Sequence, residues 1–209
     1  MTAARGPVPF ITQREGEDAA PDNLVVLRDA SGVLRLHYAD EDPARDRDMR
    51  GVLVARCAFA PVDGRGRPTG RPQWRMMHPH RQIMTMQNMC CQVCAGPART
   101  RLGYVFLSGP GDQDPGAPRV LTNQPPVCPK CVRAAALLCP HLGGNPMVWV
   151  VPSAPLYGVQ GTLYRPEAGR VRPVDRPSAP VPYGHPVLST FLASQVVRRL
   201  RAFRVVGLE

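Results

Sequence analysis

Six of the chain's seven cysteines, Cys90, Cys91, Cys94, Cys128, Cys131 and Cys139, lie between positions 90 and 139. Four of them form two knuckles of equal spacing, Cys91-Gln92-Val93-Cys94 and Cys128-Pro129-Lys130-Cys131. A gap of two residues lets both sulfurs of one tight turn reach a single ion at about 2.3 Å, and two such turns complete a tetrahedral thiolate set of the kind zinc prefers. Four thiolates also serve iron–sulfur clusters, but zinc is the expected cofactor. With all four positions taken by sulfur, no site is open to water or substrate, so the ion is structural in character. The 33 residues between Cys94 and Cys128 exceed the roughly 15–20 of common zinc modules. An inserted loop at Gly109–Pro118 (GPGDQDPGAP) accounts for the excess.

Disulfides are the competing use of clustered cysteines. The first 22 residues hold no apolar run of secretory length, and no stretch approaches the roughly 18 apolar residues of a membrane-spanning helix. A cytoplasmic, reducing location away from membranes is therefore expected, and it favours metal over disulfide. Cys90 could replace Cys91, since a three-residue gap also closes on zinc, although Cys91 gives the regular spacing. Cys139 and His141 follow the helix expected after Cys131. They could support the ligands, substitute for one, or form half of a second site with His78 or His80. Solvated loop histidines are the plainer reading of all three. Cys57, among apolar neighbours, reads as a core residue.

A knuckle, a strand pair around Tyr104–Leu107, a second knuckle and a helix starting there is the order of a treble-clef zinc fold. That order resembles the metal core of HNH-type nucleases, and the resemblance implies a metal-dependent enzyme with an open zinc site. Those nucleases activate water with a histidine near the hairpin. The matching stretch here, Tyr104-Val105-Phe106-Leu107-Ser108, carries no general base, and no histidine lies between His80 and His141. The likeness covers the cysteine scaffold alone. Over a longer span, the segments Met89-Cys90-Cys91-Gln92-Val93-Cys94, Val127-Cys128-Pro129-Lys130-Cys131, Cys139-Pro140-His141-Leu142 and Tyr157-Gly158-Val159-Gln160-Gly161 resemble a group of actinobacterial cysteine-rich proteins with no assigned activity. That resemblance implies a bacterial, GC-rich source and no chemistry.

The elements that must position the cysteines are short. With 25 prolines and 19 glycines among 209 residues, long helical bundles and doubly wound sheets fit poorly. The expected class is α+β, with short antiparallel strands around a treble-clef-like zinc knuckle and a C-terminal amphipathic helix. Residues 1–22 read as a flexible acidic arm. Residues 23–164 read as one α+β domain containing the knuckle at 90–141. Within it, Leu24–Asp29 and Val33–Asp40 form a hairpin around Ala30-Ser31-Gly32, and Gly51–Ala60 a strand. His80–Met89 forms a short helix leading into the cysteines, and Cys131–Leu138 a second. Arg101–Ser108, Met147–Val151 and Tyr157–Tyr164 are further strands. Residues 165–182 read as a Pro/Arg-rich linker. Residues 183–209 read as the final helix, because Leu188, Leu192, Val196, Leu200 and Phe203 recur every three or four positions between Pro186 and Gly207.

The charge is lopsided. The chain holds 26 basic residues against 16 acids, a net +10, and only Lys130 is lysine. Residues 1–48 carry ten acids and six arginines, a balance of −4, which leaves +14 on the rest. Such a body suits an anionic partner, nucleic acid or an acidic protein surface, with Arg198, Arg199, Arg201 and Arg204 of the final helix as the expected grip. Aromatics are only 6%, so no stacking platform is evident. Gly-rich phosphate loops, GxSxG and HExxH are absent from the sequence. The expected role is a non-enzymatic, zinc-stabilised binding or regulatory protein. The alternatives are the HNH-like enzyme and a component of a larger phage-derived or defence assembly, held by the final helix.

Overall fold

The computed structural model describes residues 8–20, 23–139, 142, 146–167 and 170–207. In chain order they form β1 (Thr12–Arg14), β2 (Leu24–Arg28), β3 (Leu34–Tyr38), α1 (Pro43–Asp46), β4 (Leu53–Val54) and β5 (Pro72–Met77). Then come α2 (Pro79–Asn88), β6 (Tyr104–Ser108), β7 (Val120–Thr122), α3 (Pro129–Leu138) and β8 (Met147–Val151). The chain continues as β9 (Leu156–Glu167), β10 (Arg170–Asp175), β11 (Val181–Pro182), β12 (Phe191–Leu200) and β13 (Arg204–Val206). The class is α+β, mostly strand. Both longer helices start on a proline, Pro79 and Pro129, whose fixed φ and missing N–H suit that position. Among the described residues no helix is long and apolar enough to cross a membrane.

The largest sheet runs β10-β9-β12-β4, with β11 also on β9 and β7 also on β12. A second sheet runs β13-β8-β6, and β2-β3 and β1-β5 form two separate pairs. The expected hairpin is present, with Leu24 opposite Tyr38 and Arg28 opposite Leu34. The strand expected over Gly51–Ala60 is reduced to β4, which pairs parallel with β12 at Leu192 and Ala193.

The C-terminal helix expected at 183–209 is not there. Pro186–Thr190 makes a short 3-10 turn, and Phe191–Leu200 is a strand at the centre of the large sheet. A spacing of four, as in Leu188, Leu192, Val196 and Leu200, satisfies a strand that alternates with period two as well as a helix. Two register shifts against β9, between Ala193 and Gln195 and between Val197 and Arg198, add residues that blur the alternation further. Backbone pairing decides the outcome. One edge of β12 is taken by β9, and the other by β4, then the Gln82 side chain, then β7. The Gln82 carboxamide donates to Val196 O at 2.9 Å and accepts from Val196 N–H at 3.0 Å, standing in for a strand where none runs.

Core packing follows from that arrangement. Ile83 and Met86 of α2 pack with Phe191, Ala193 and Val196 of β12 and with Val159 of β9. A separate cluster of Cys91, Val93, Ala98, Leu107, Val127, Cys128, Ala135, Leu142 and Val148 surrounds the cysteines. The two segments read as unstructured also differ from expectation. Residues 165–182 contain the end of β9, β10 and β11, with Pro166 and Pro173 on an edge ribbon where a missing N–H is tolerated. Within 1–22, Ile11–Arg14 are buried, and Glu17 is fully buried against Arg81 at 2.5 Å. The described part of this segment, residues 8–20, is clipped to α2 by that ion pair.

Candidate metal centre

The first knuckle begins where α2 stops. Met89 takes the left-handed conformation (φ 54°), and the Cys90 N–H returns to Thr85 O at 2.9 Å. Cys91 then closes a tight turn. Its N–H donates to Gly96 O at 2.7 Å, and its carbonyl accepts from the Ala95 N–H at 2.8 Å. The turn also aims an amide at sulfur, with the Val93 N–H 3.4 Å from Cys91 Sγ. The second pair sits at a helix start: Cys128 caps α3, and Cys131 lies in its first turn, its N–H 2.9 Å from Cys128 O. Backbone bonds from Gln92 N–H to Pro126 O (2.9 Å) and from Val127 N–H to Val105 O (2.8 Å) stitch knuckle, helix start and β6 together.

This brings the Sγ atoms of Cys91, Cys94, Cys128 and Cys131 within 4.8 Å of one another, close enough to hold one ion. Cys94 and Cys128 are 3.8 Å apart, and a tetrahedron with bonds of about 2.3 Å has an edge of about 3.8 Å. The donor set is four sulfurs, two of them buried and two half-buried in the apolar cluster around Val127 and Leu107. Burial pushes the Cys91 thiol up to about 11, against the pull of N–H groups from Cys128, Cys94 and Val93. Cys131 is also raised, by burial first and then by hydrogen bonding and charge among the neighbouring sulfurs. For Cys94 burial acts in the same direction but is outweighed by the Gly96 N–H and the surrounding thiols, so its pKa falls. Where Cys91 and Cys131 resist ionisation, a cation would supply the missing charge.

Those of the other candidate ligands that are described stand apart from this group. Cys90 is half-buried, and its thiol faces Asn88 O at 3.8 Å, so Cys91 rather than Cys90 joins the sulfurs. Cys139 caps the end of α3 and packs against the same cluster without entering the four. His141 lies outside the described residues. His78 is fully buried, bonds Ala58 O at 3.1 Å, and packs with His80 on Phe59. The expected strand pair around Tyr104–Leu107 is not a hairpin either. β6 pairs with β8, and β7 pairs with β12.

The four arginines expected as the grip of a final helix do not form one surface. Arg198 is buried and donates to the carbonyls of Met86 (2.7 Å), Gln87 (3.1 Å) and Ala154, tying the end of α2 to β12. Burial lowers its pKa. Arg199 is half-buried, and Arg201 and Arg204 are exposed. A different basic feature stands out from the fold. The β9–β10 ribbon exposes Arg165, Arg170, Arg172 and Arg176, and sets Arg165 directly opposite Arg172. Alternation at Arg170 and Arg172 is the sequence signal that marks it. Comparison of the chain with protein-family models, with curated proteins and with solved structures found no match.

Proposed function

We propose that the chain is a non-enzymatic binding protein, stabilised by one structural zinc ion on Cys91, Cys94, Cys128 and Cys131, that grips nucleic acid with its β9–β10 ribbon. A knuckle paired with a helix N-terminus supports a treble-clef-like centre, and four sulfur ligands support zinc in a closed site. The observation that carries the partner is the ribbon. Like charges directly opposite on paired strands destabilise each other, yet Arg165 and Arg172 face one another there. Among the described residues the one ion pair to them is from Glu167, 3.0 Å from Arg172 and itself well exposed, an arrangement worth little in water. An arrangement that repels itself when free is relieved by phosphates. A two-stranded ribbon also has dimensions that the major groove admits.

The test is binding of a labelled DNA duplex and of single-stranded RNA followed by anisotropy across salt. Wild-type affinity should fall with rising salt, and the fourfold variant R165A/R170A/R172A/R176A should lower the log–log slope by about one for each phosphate no longer neutralised. Binding that ignores salt, or a variant indistinguishable from wild type, removes the nucleic-acid reading. An acidic protein captured through the same arginines would redirect it.

A further inference from the structure

Beside the metal centre, between α3 and the β1–β5 pair, lies a cleft of about 450 Å³, within the range of small-molecule sites. Its apolar lining includes Ile11, Leu107, Ala135 and Leu142, and β5 contributes Trp74, which is 38% exposed. Four carboxamides line it as well: Gln92, Gln113, Asn123 and Gln124. One cation, Arg75, and one anion, Asp112, balance.

Gln92 is the unusual member. It sits between two metal ligands, its backbone bound both ways, N–H to Pro126 O at 2.9 Å and O to the Ile11 N–H at 3.2 Å. Its side chain lines the cleft, with 8% of the residue exposed, and makes no hydrogen bond to any described residue, so its carboxamide is available to pair with what the cleft takes up. Two neighbours have acceptors to spare. Asn123 Nδ2 donates to Gln195 Oε1 (2.7 Å) and Gln160 Oε1 (3.2 Å), which leaves its Oδ1. Gln113 Nε2 donates to Leu121 O at 3.1 Å, which leaves its Oε1.

We infer that this cleft binds an adenine-type base, a flat, uncharged, amino-bearing heterocycle. A carboxamide presents donor and acceptor side by side, as the amino group and ring nitrogen of adenine do in reverse. The spare acceptors at Asn123 and Gln113 match the ligand's amino hydrogens. Trp74 offers an aromatic face of the kind on which bases stack. An aliphatic ligand would leave the amides unpaired, and a carboxylate would meet acceptors with only Arg75 to balance it. The base can arrive on a free nucleoside or nucleotide, or unstacked from a single strand. Only the second source rests on the nucleic-acid reading above.

Tryptophan emission provides the test, because Trp149, the other tryptophan, is 1% exposed and Trp74 is the one at the cleft. Adenosine, uridine and a short oligoadenylate are titrated into the metal-loaded chain at low and high salt, with calorimetry in parallel. Saturable quenching by adenosine, indifferent to salt and about tenfold weaker for uridine, is the expected result. Quenching by the oligoadenylate alone assigns the base to a strand. Trp74→Leu and, separately, Gln124→Ala and Gln92→Met should weaken the calorimetric affinity about tenfold or more with metal content unchanged. No response to any probe, or full affinity in all three variants, overturns the inference. Because adenosine is uncharged, its binding survives failure of the arginine ribbon, and the ribbon's salt-dependent binding survives Trp74→Leu, so the two failures are distinguishable.

Discussion

Stripping the metal with a chelator is the perturbation that most directly tests how the cysteine cluster holds the fold. One ion held by these four sulfurs would cross-link the knuckle to the start of α3, closing the chain between Cys94 and Cys128, 34 positions apart. In the chain-entropy treatment of a cross-link, a loop of that length constrains the unfolded state by about 4 kcal/mol. That figure is a floor, because the metal–sulfur bonds exist only in the folded chain and their free energy adds to it. For a chain of this size each kcal/mol shifts Tm by about 2–4 °C, so removal should lower Tm by about 8–16 °C or more. The assay is thermal melting by circular dichroism before and after chelation, with metal counted by mass spectrometry and about one zinc per chain expected. Cys94→Ser should lose the metal and reproduce the shift, whereas Cys90→Ser should retain both metal and Tm. A chain stripped of all metal that melts within about 2 °C of the loaded one would refute the reasoning. So would a Cys90→Ser chain that no longer holds metal beside a Cys94→Ser chain that does.

Three further outcomes follow from named side chains. Arg198→Met should cost about 3 kcal/mol or more in denaturant unfolding, since three carbonyls are deprived of a charged donor, while exposed Arg204→Ala should stay within about 0.5 kcal/mol; equal effects would place both on the surface. The Glu17 carboxyl is raised by burial but more than compensated by Arg81 and the Ala60 and Arg14 N–H groups, which bring it from 4.5 to about 2. A depressed carboxylate stabilises above its unfolded pKa, so that contribution should be intact above pH 4.5 and lost as the pH falls through about 2, and Glu17→Gln should flatten acid unfolding over that window. Removing one partner of such a buried pair should also cost about 3–5 kcal/mol at neutral pH. Gly161→Ala should destabilise by at least about 3 kcal/mol, because its Cβ would stand 2.0 Å from Leu192 O on the paired strand, whereas Gly64→Ala, with nothing within 4 Å, should be near neutral.

What could be read from the sequence divides along a physical line. Cys91, Cys94, Cys128 and Cys131 were legible because ligand spacing within a tight turn is local chemistry: two intervening residues mean the same thing in any fold. Gly109–Pro118 likewise forms a loop, between β6 and β7. The C-terminal strand was not legible, because a spacing of four fits helix and strand alike, and what selects the strand is remote. It is the Gln82 carboxamide and the edges of β4, β7 and β9, spread over more than a hundred residues of chain. Phe191, Val196 and Val197, all buried, carry the β-branched and aromatic bias that argues for a strand.

Charge failed as a guide to surface for a related reason. A count of arginines weighs each one equally, but Arg14, Arg81 and Arg198 are all buried. Their guanidinium groups satisfy carbonyls, of Pro68, Thr12 and Pro9 for Arg14, of Thr12 for Arg81, and of three residues for Arg198, and Arg81 also holds Glu17. In a chain broken by so many turns, carbonyls without a strand or helix partner are common inside the fold, and a five-donor fork on a long stem is the side chain that can collect several at once. Part of the arginine excess is therefore internal scaffolding. A binding surface is then marked less by how many arginines a segment holds than by arginines that find no carbonyl or carboxylate to satisfy, as most of those on the β9–β10 ribbon find none among the described residues.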